Sequence, residues 1–151
     1  MASKEYRNIL VPFDDSKFAQ KALDVAKTLS KSFGSTLHIV TVVDISSVIS
    51  PGMIRSKERK AWEQIRLSIR HSAKSVIQEK ERQCASEKIK TKAWVVEGSA
   101  ANEILKIIRE NEIDLVVIGS KGLSGLSKMR ALGSVSRKIS ELSDCPVMII
   151  H

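Results

Sequence analysis

The sequence predicts an α/β protein: a single-domain, three-layer α/β/α sandwich on a five-stranded parallel sheet with strand order 3-2-1-4-5. Three observations lead there. Short apolar, β-branched runs alternate with segments of helical periodicity, giving the order βαβαβαβαβ with no repeat or low-complexity stretch between them. The 151 residues suit one domain, read as residues 1–151, with a core of ordinary size. Strands separated by helices join through right-handed crossovers into a parallel sheet that is covered on both faces.

Asn8-Ile-Leu-Val-Pro12 is the first strand. Asp15 or Ser16 is expected to cap the next helix, where Phe18, Ala19, Ala22, Leu23, Ala26 and Leu29 share one side and Gly34 ends the periodicity. Thr36 to Val43 is a β-branched second strand, and Asp44 to Ser56, with Pro51-Gly52, is expected to be an irregular loop. Lys57 to Ser86 reads as a long helix whose apolar stripe is Trp62, Ile65, Ile69, Ala73, Val76 and Ile77. Thr91 to Val96 is the third strand. Gly98-Ser99 opens a helix with Ala100, Ile104, Leu105, Ile107 and Ile108 turned inward. Leu115 to Ile118 is the fourth strand, Ser134 to Leu142 the last helix, and Pro146 to Ile150 the fifth strand, expected at a sheet edge.

Composition narrows the class. With 42% hydrophobic and 28% charged residues the chain reads as soluble, and no apolar run approaches the roughly 18–20 residues of a membrane span. The opening Met1-Ala-Ser-Lys-Glu-Tyr-Arg lacks a signal-peptide core, so the expected location is cytoplasmic, with no membrane partner. Cys84, in a polar helical stretch, and Cys145 share no metal-type spacing and are expected to be free thiols. His38, expected to be a partly buried structural residue, His71 and His151 do not pair at metal-ligand spacing either, and no Ser-His-Asp or Cys-His constellation is visible. Much of the net charge of +8 lies between Arg55 and Lys74, where Arg55, Lys57, Arg59, Lys60, Arg66, Arg70 and Lys74 face only Glu58 and Glu63. That run is either a solvated helix face or a nucleic-acid surface. Trp62, its only aromatic, sits at core spacing and favours the solvated face.

Function concentrates in Gly119 to Ser134. Glycines 119, 122, 125 and 133 fall there, and between Gly119 and Lys138 stand Lys121, Lys128, Arg130, Arg137 and Lys138 with no acidic residue. A strand, a glycine-rich basic loop and a helix start together hold a phosphate, because close backbone N–H groups and the helix dipole both favour an anion. In open parallel sheets ligands bind beyond the carboxyl ends of the strands, where strand order reverses. Pro12-Phe13-Asp14, Val42-Val43-Asp44 and the loop after strand four are therefore expected to meet in one crevice. Asp14 is a candidate for ribose hydroxyls or a divalent cation, against a plain helix-initiating role. Ser134 is a candidate N-cap and phosphate donor. Arg137 and Lys138 in the first turn oppose the dipole unless an anion lies near. Lys121, Lys128 and Arg130 are either phosphate charges or solvated loop residues. The loop lacks the Walker A ending and is not G-x-G-x-x-G, and no residue is evidently placed to activate water. Binding is expected rather than turnover, with slow hydrolysis at most.

The blocks Ile9-Leu-Val-Pro-Phe-Asp14-Asp-Ser16, Val96-Glu-Gly98, Val116-Val-Ile-Gly119-Ser-Lys-Gly122, Gly133-Ser134-Val135-Ser136 and Cys145-Pro146-Val147 occur in order along the chain. Together they resemble the universal stress protein family over essentially the whole length. The resemblance implies an adenine-nucleotide-hydrolase-like, Rossmann-like fold and a stress-response regulatory module that binds ATP, or ADP or AMP, with Mg2+. It implies phosphates held by Gly119, Gly122, Gly133 and Ser134, adenine and ribose received by Asp14 and the backbone near Pro12, Phe13 and Val42, Ile118 lining the pocket, and Ser120, Lys121, Val135 and Ser136 among the cofactor-binding residues. It also implies a homodimer through the last strand, and regulatory protein partners. One departure stands out. ATP-binding members place nine residues between the second and third motif glycines, whereas ten separate Gly122 from Gly133 here. The extra residue either bulges near Ser124-Gly125 or displaces Gly133 and Ser134, which would leave a nucleotide-free dimeric interaction module.

Overall fold

A computed structural model describes residues 6–54, 57–123 and 132–151. Five parallel strands, β1 (Asn8–Pro12), β2 (Thr36–Val43), β3 (Thr91–Glu97), β4 (Leu115–Gly119) and β5 (Val147–Ile150), form one sheet in the order β3-β2-β1-β4-β5. The helices are α1 (Lys17–Phe33), the short α2 (Pro51–Ile54), α3 (Arg59–Ser86), α4 (Ala100–Glu110) and α5 (Ser134–Leu142).

The strand pleat sorts the core into two. Ile9, Val11, Leu37, Ile39, Leu115 and Val117 point to one face, where α1 and α3 cover them with Ala22, Leu23, Ala26 and Ile77. Leu10, Val40, Val116 and Ile118 point to the other, under Ile104, Ile107 and Ile108 of α4 and Ile139 of α5. Each such aliphatic side chain contributes about 1.5–3 kcal/mol on leaving water. Strand order reverses between β1, which continues through α1 to β2, and β4. A crevice opens there, at the carboxyl ends.

Local chemistry sets the element ends. Ser16 rather than Asp15 caps α1: its Oγ accepts the Ala19 N–H at 3.1 Å. Asp15 instead takes the left-handed conformation, with φ of 63°. Gly34, with φ of 66°, ends α1 and gives its N–H to Ser30 O. Asp114, at the foot of β4, accepts the N–H groups of Arg7 and Asn8, both at 2.7 Å, and so ties β4 to the start of β1.

Several expectations need correction. The segment after β2 is not wholly irregular, because Asp44 caps a 3-10 turn at Ile45–Ser47, and Pro51 starts α2, its fixed φ suiting a first helical position. The α3 stripe is buried only toward its far end. Ile77 and Cys84 are enclosed, whereas Trp62 is half-buried and Ile65 is 39% exposed. Cys84 is therefore a core residue, and burial pushes its thiol pKa up. On α4 it is Ala101 that is buried, Ala100 being half-buried at the crevice. His38 is fully buried, with Nε2 bonded to Asn8 Oδ1 at 3.0 Å and its ring edge-on to Trp94. Among the described residues no helix is long and apolar enough to cross a membrane.

Candidate functional site

The crevice at the switch point is a cavity of about 620 Å³. Its apolar side comes from Val40 and Val42 of β2, Ile104 and Ala100 of α4, and Ile118 of β4. Pro12, Phe13 and Asp14 enter from β1, and Gly119, Lys121, Gly122 and Leu123 from the end of β4. Gly133, Ser134, Val135 and Ser136 close the remaining side with the start of α5. A helix begins with N–H groups that have no partner within it, and these carry the positive end of its dipole. Among the described residues the first N–H on α5 to close back is that of Arg137, on Gly133 O at 3.0 Å, so the turn opening on the crevice is the donor-rich one. An apolar slot beside a ring of main-chain donors suits a flat heterocycle carrying an anionic tail.

Each candidate residue has a definite place. The Phe13 ring lies in the α1/α3 core, with the Lys80 ammonium 5.6 Å from its centroid, while its main chain is fixed at the crevice by N–H to Val40 O at 2.7 Å and by Thr41 Oγ1 donating to its carbonyl at 2.8 Å. Asp14 is exposed. Its Oδ1 accepts the Ser16 N–H at 3.0 Å and its Oδ2 the Leu123 N–H at 3.1 Å, so it joins the end of β1 to the loop after β4. Helix initiation and a crevice-facing carboxylate are thus combined in one side chain. Gly122 lies against it: a Cβ there would stand 2.7 Å from Asp14 Oδ2. Gly119 answers to a different constraint, since a Cβ would come within 2.8 Å of the Phe18 main chain at the start of α1. Ser120 lies beneath the crevice rather than on its wall and is buried, its N–H bonded to Ile150 O at 2.8 Å.

Three side-chain roles differ from expectation. The N-cap of α5 is Gly133, which leaves Ser134 in the first helical position with an exposed hydroxyl, because the turn closes one residue earlier. The Ser136 hydroxyl is directed at Ser120 O and Gly133 O, inside the loop neck. Lys138 neither faces the crevice nor hangs in solvent: its Nζ donates to Asn102 Oδ1 at 2.8 Å, linking α5 to α4. Arg137 is exposed on the first turn. Lys128, Arg130 and the segment around Ser124-Gly125 lie outside the described residues. Among the described residues no three His, Cys, Asp or Glu side chains gather as a metal site.

Sequence reasoning placed Asp44 at the crevice but passed over Val40, Ala100, Ile104 and Leu123 on its walls. Asp44 directly follows β2, so its position was legible. Ile104 was not, because a core-facing helical residue looks the same whether it meets a strand or a cavity. On the basic helix, Arg66 and Arg70 both bond Glu97, with Arg66 Nε 2.9 Å from Oε1.

Comparison with known proteins agrees with this architecture. The model of the universal stress protein family matches residues 5–151. Universal stress protein YxiE of Bacillus subtilis is 33% identical over 151 residues, covering 97% of this chain and 99% of its own. The structure of universal stress protein UspA from Lactobacillus plantarum superposes with a TM-score of 0.85 at 25% identity, over 97% of this chain and 98% of that one. A universal stress protein in complex with cAMP shares the fold with a TM-score of 0.68 at 22% identity, over 97% of each chain.

Proposed function

Because the chain belongs to the universal stress protein family, we propose that its crevice binds an adenine nucleotide, ATP above all, and that occupancy regulates its association with other proteins. The observation carrying this is the pairing of an apolar slot with the donor-rich start of α5 in one cavity of about 620 Å³. Adenine would lie against Val42 and Ile118, with ribose toward the Asp14 carboxylate. Phosphates would take the N–H groups of Ser134, Val135 and Ser136, with Lys121 and Gly122 on the opposite wall. Mg2+ would arrive with the phosphates, Asp14 supplying an oxygen, and would neutralise their charge. The reading is supported by a universal stress protein of the same fold that is seen in complex with cAMP.

Gly133 meets Ser120 directly, its N–H 2.8 Å from Ser120 O, which supports the reading that the ten-residue spacing leaves both ends of the cradle in place. The protein acts as a binding module in this account, located in the cytoplasm and paired as a homodimer through β5. That strand is a sheet edge with Met148 37% exposed, and edges pair with other chains. Thermal unfolding with ATP, ADP and AMP, with and without Mg2+, tests the reading. A nucleotide at a hundred times its dissociation constant stabilises the fold by about 2.7 kcal/mol. An unfolding temperature unmoved by millimolar nucleotide would leave the edge strand as the functional surface, and the protein as a nucleotide-free dimeric module.

A further inference from the structure

The chain leaves the sheet at Ser120 and enters α5 through Gly133, and these two points are locked together. The Gly133 N–H donates to Ser120 O at 2.8 Å. The Ser136 Oγ lies 2.9 Å from the same oxygen and 3.1 Å from Gly133 O, so one hydroxyl proton bridges both sides of the neck. Ser136 is 3% exposed and Ser120 2%, and Ser120 is held from below by its N–H on Ile150 O at 2.8 Å. Side chains in a first helical turn lean back toward the N-terminus, which carries this hydroxyl under the loop.

We propose that Ser136 is the positioning residue of the cradle: its buried hydroxyl closes the neck of the loop, so Gly122 and Gly133-Ser134 keep their places whatever number of residues lies between. The role rests on the nucleotide reading above. A neck fixed by internal hydrogen bonds tolerates different numbers of residues between its two sides, because closing a longer loop is only slightly less favourable. The Ser136 hydroxyl is therefore a support for the main chain. Without it, two carbonyls in a buried place lose a shared donor, and among the described residues the neck keeps the Gly133–Ser120 bond.

The test has a ligand-free and a liganded readout. Amide hydrogen exchange in the nucleotide-free protein should show Gly133 exchanging about fivefold faster in Ser136→Ala than in the parent, as expected for one lost net hydrogen bond, with core amides such as Val116 unchanged. Ser136→Cys, similar in size but with a weak donor, should fall between. In titrations the Ser136→Ala variant should lose about fivefold in ATP affinity and less than about twofold in adenosine affinity. One glycine inserted between Gly125 and Leu126 should leave ATP affinity unchanged in the parent and weaken it further in Ser136→Ala, a non-additivity that a merely structural serine would not produce. Unchanged Gly133 exchange, equal losses for ATP and adenosine, or strictly additive effects of insertion and substitution would each overturn the role. Faster Gly133 exchange in a protein that binds no nucleotide supports the clamp and removes the nucleotide reading instead.

Discussion

His38 offers a prediction with a definite sign and size. The ring is buried in β2, Nε2 bonds Asn8 Oδ1 at 3.0 Å, and Nδ1 has no hydrogen-bond partner among the described residues. Protonation would place a charge and an N–H where nothing accepts it. Burial above all, and then the Lys92 charge at the paired position on β3, lower its pKa from 6.5 to about 4. A pKa depressed in the folded state means the folded protein binds fewer protons, so stability is whole above pH 6.5, falls as pH drops from there toward 4, and levels off below. At 1.36 kcal/mol per tenfold change, the loss is about 2 kcal/mol between pH 7 and pH 5 and about 3 kcal/mol by pH 4. His38→Gln keeps an amide donor for Asn8 and does not titrate. Urea unfolding of both proteins across this range should show their stability difference shifting by those amounts, carboxylate effects cancelling in the subtraction. Curves that stay parallel from pH 7 to pH 4 would refute the account of this site.

Other substitutions separate folding from binding. Gly119→Ala puts a methyl 2.8 Å from the Phe18 main chain, which cannot move cheaply, and should cost about 1–3 kcal/mol in denaturant unfolding. Gly122→Ala meets only the end of the Asp14 side chain, at 2.7 Å, so stability should change little while calorimetric titration shows weaker ATP binding. Asp114→Ala removes the acceptor of two main-chain N–H groups, each at 2.7 Å, and should lower stability by about 1–3 kcal/mol with nucleotide affinity unaffected.

The sheet was legible because strand and helix periods differ, and every strand begins within a residue or so of where its apolar run begins. The division of Ile9 and Val11 from Leu10 between the two faces came only with the structure. What stayed hidden is long-range. The Asp14 bond to Leu123 and the Asp114 bonds to Arg7 and Asn8 join residues more than a hundred positions apart, and no local pattern announces them. The sequence also offered Ser134 as a cap by residue type, whereas closure of the neck gave that position to Gly133. Glycine had been attributed to anion approach throughout the loop, yet at Gly119 it is the start of α1 that excludes a side chain. The α3 stripe misled because helical spacing records amphipathicity without recording which turns of the helix are covered.

The most direct measurement is a crystal structure of the protein grown with millimolar ATP and Mg2+. The account predicts adenine between Val42 and Ile118 and phosphate oxygens within hydrogen-bond distance of the Ser134 and Val135 N–H groups. A crevice left empty at saturating nucleotide, or nucleotide bound anywhere else on the chain, would contradict it.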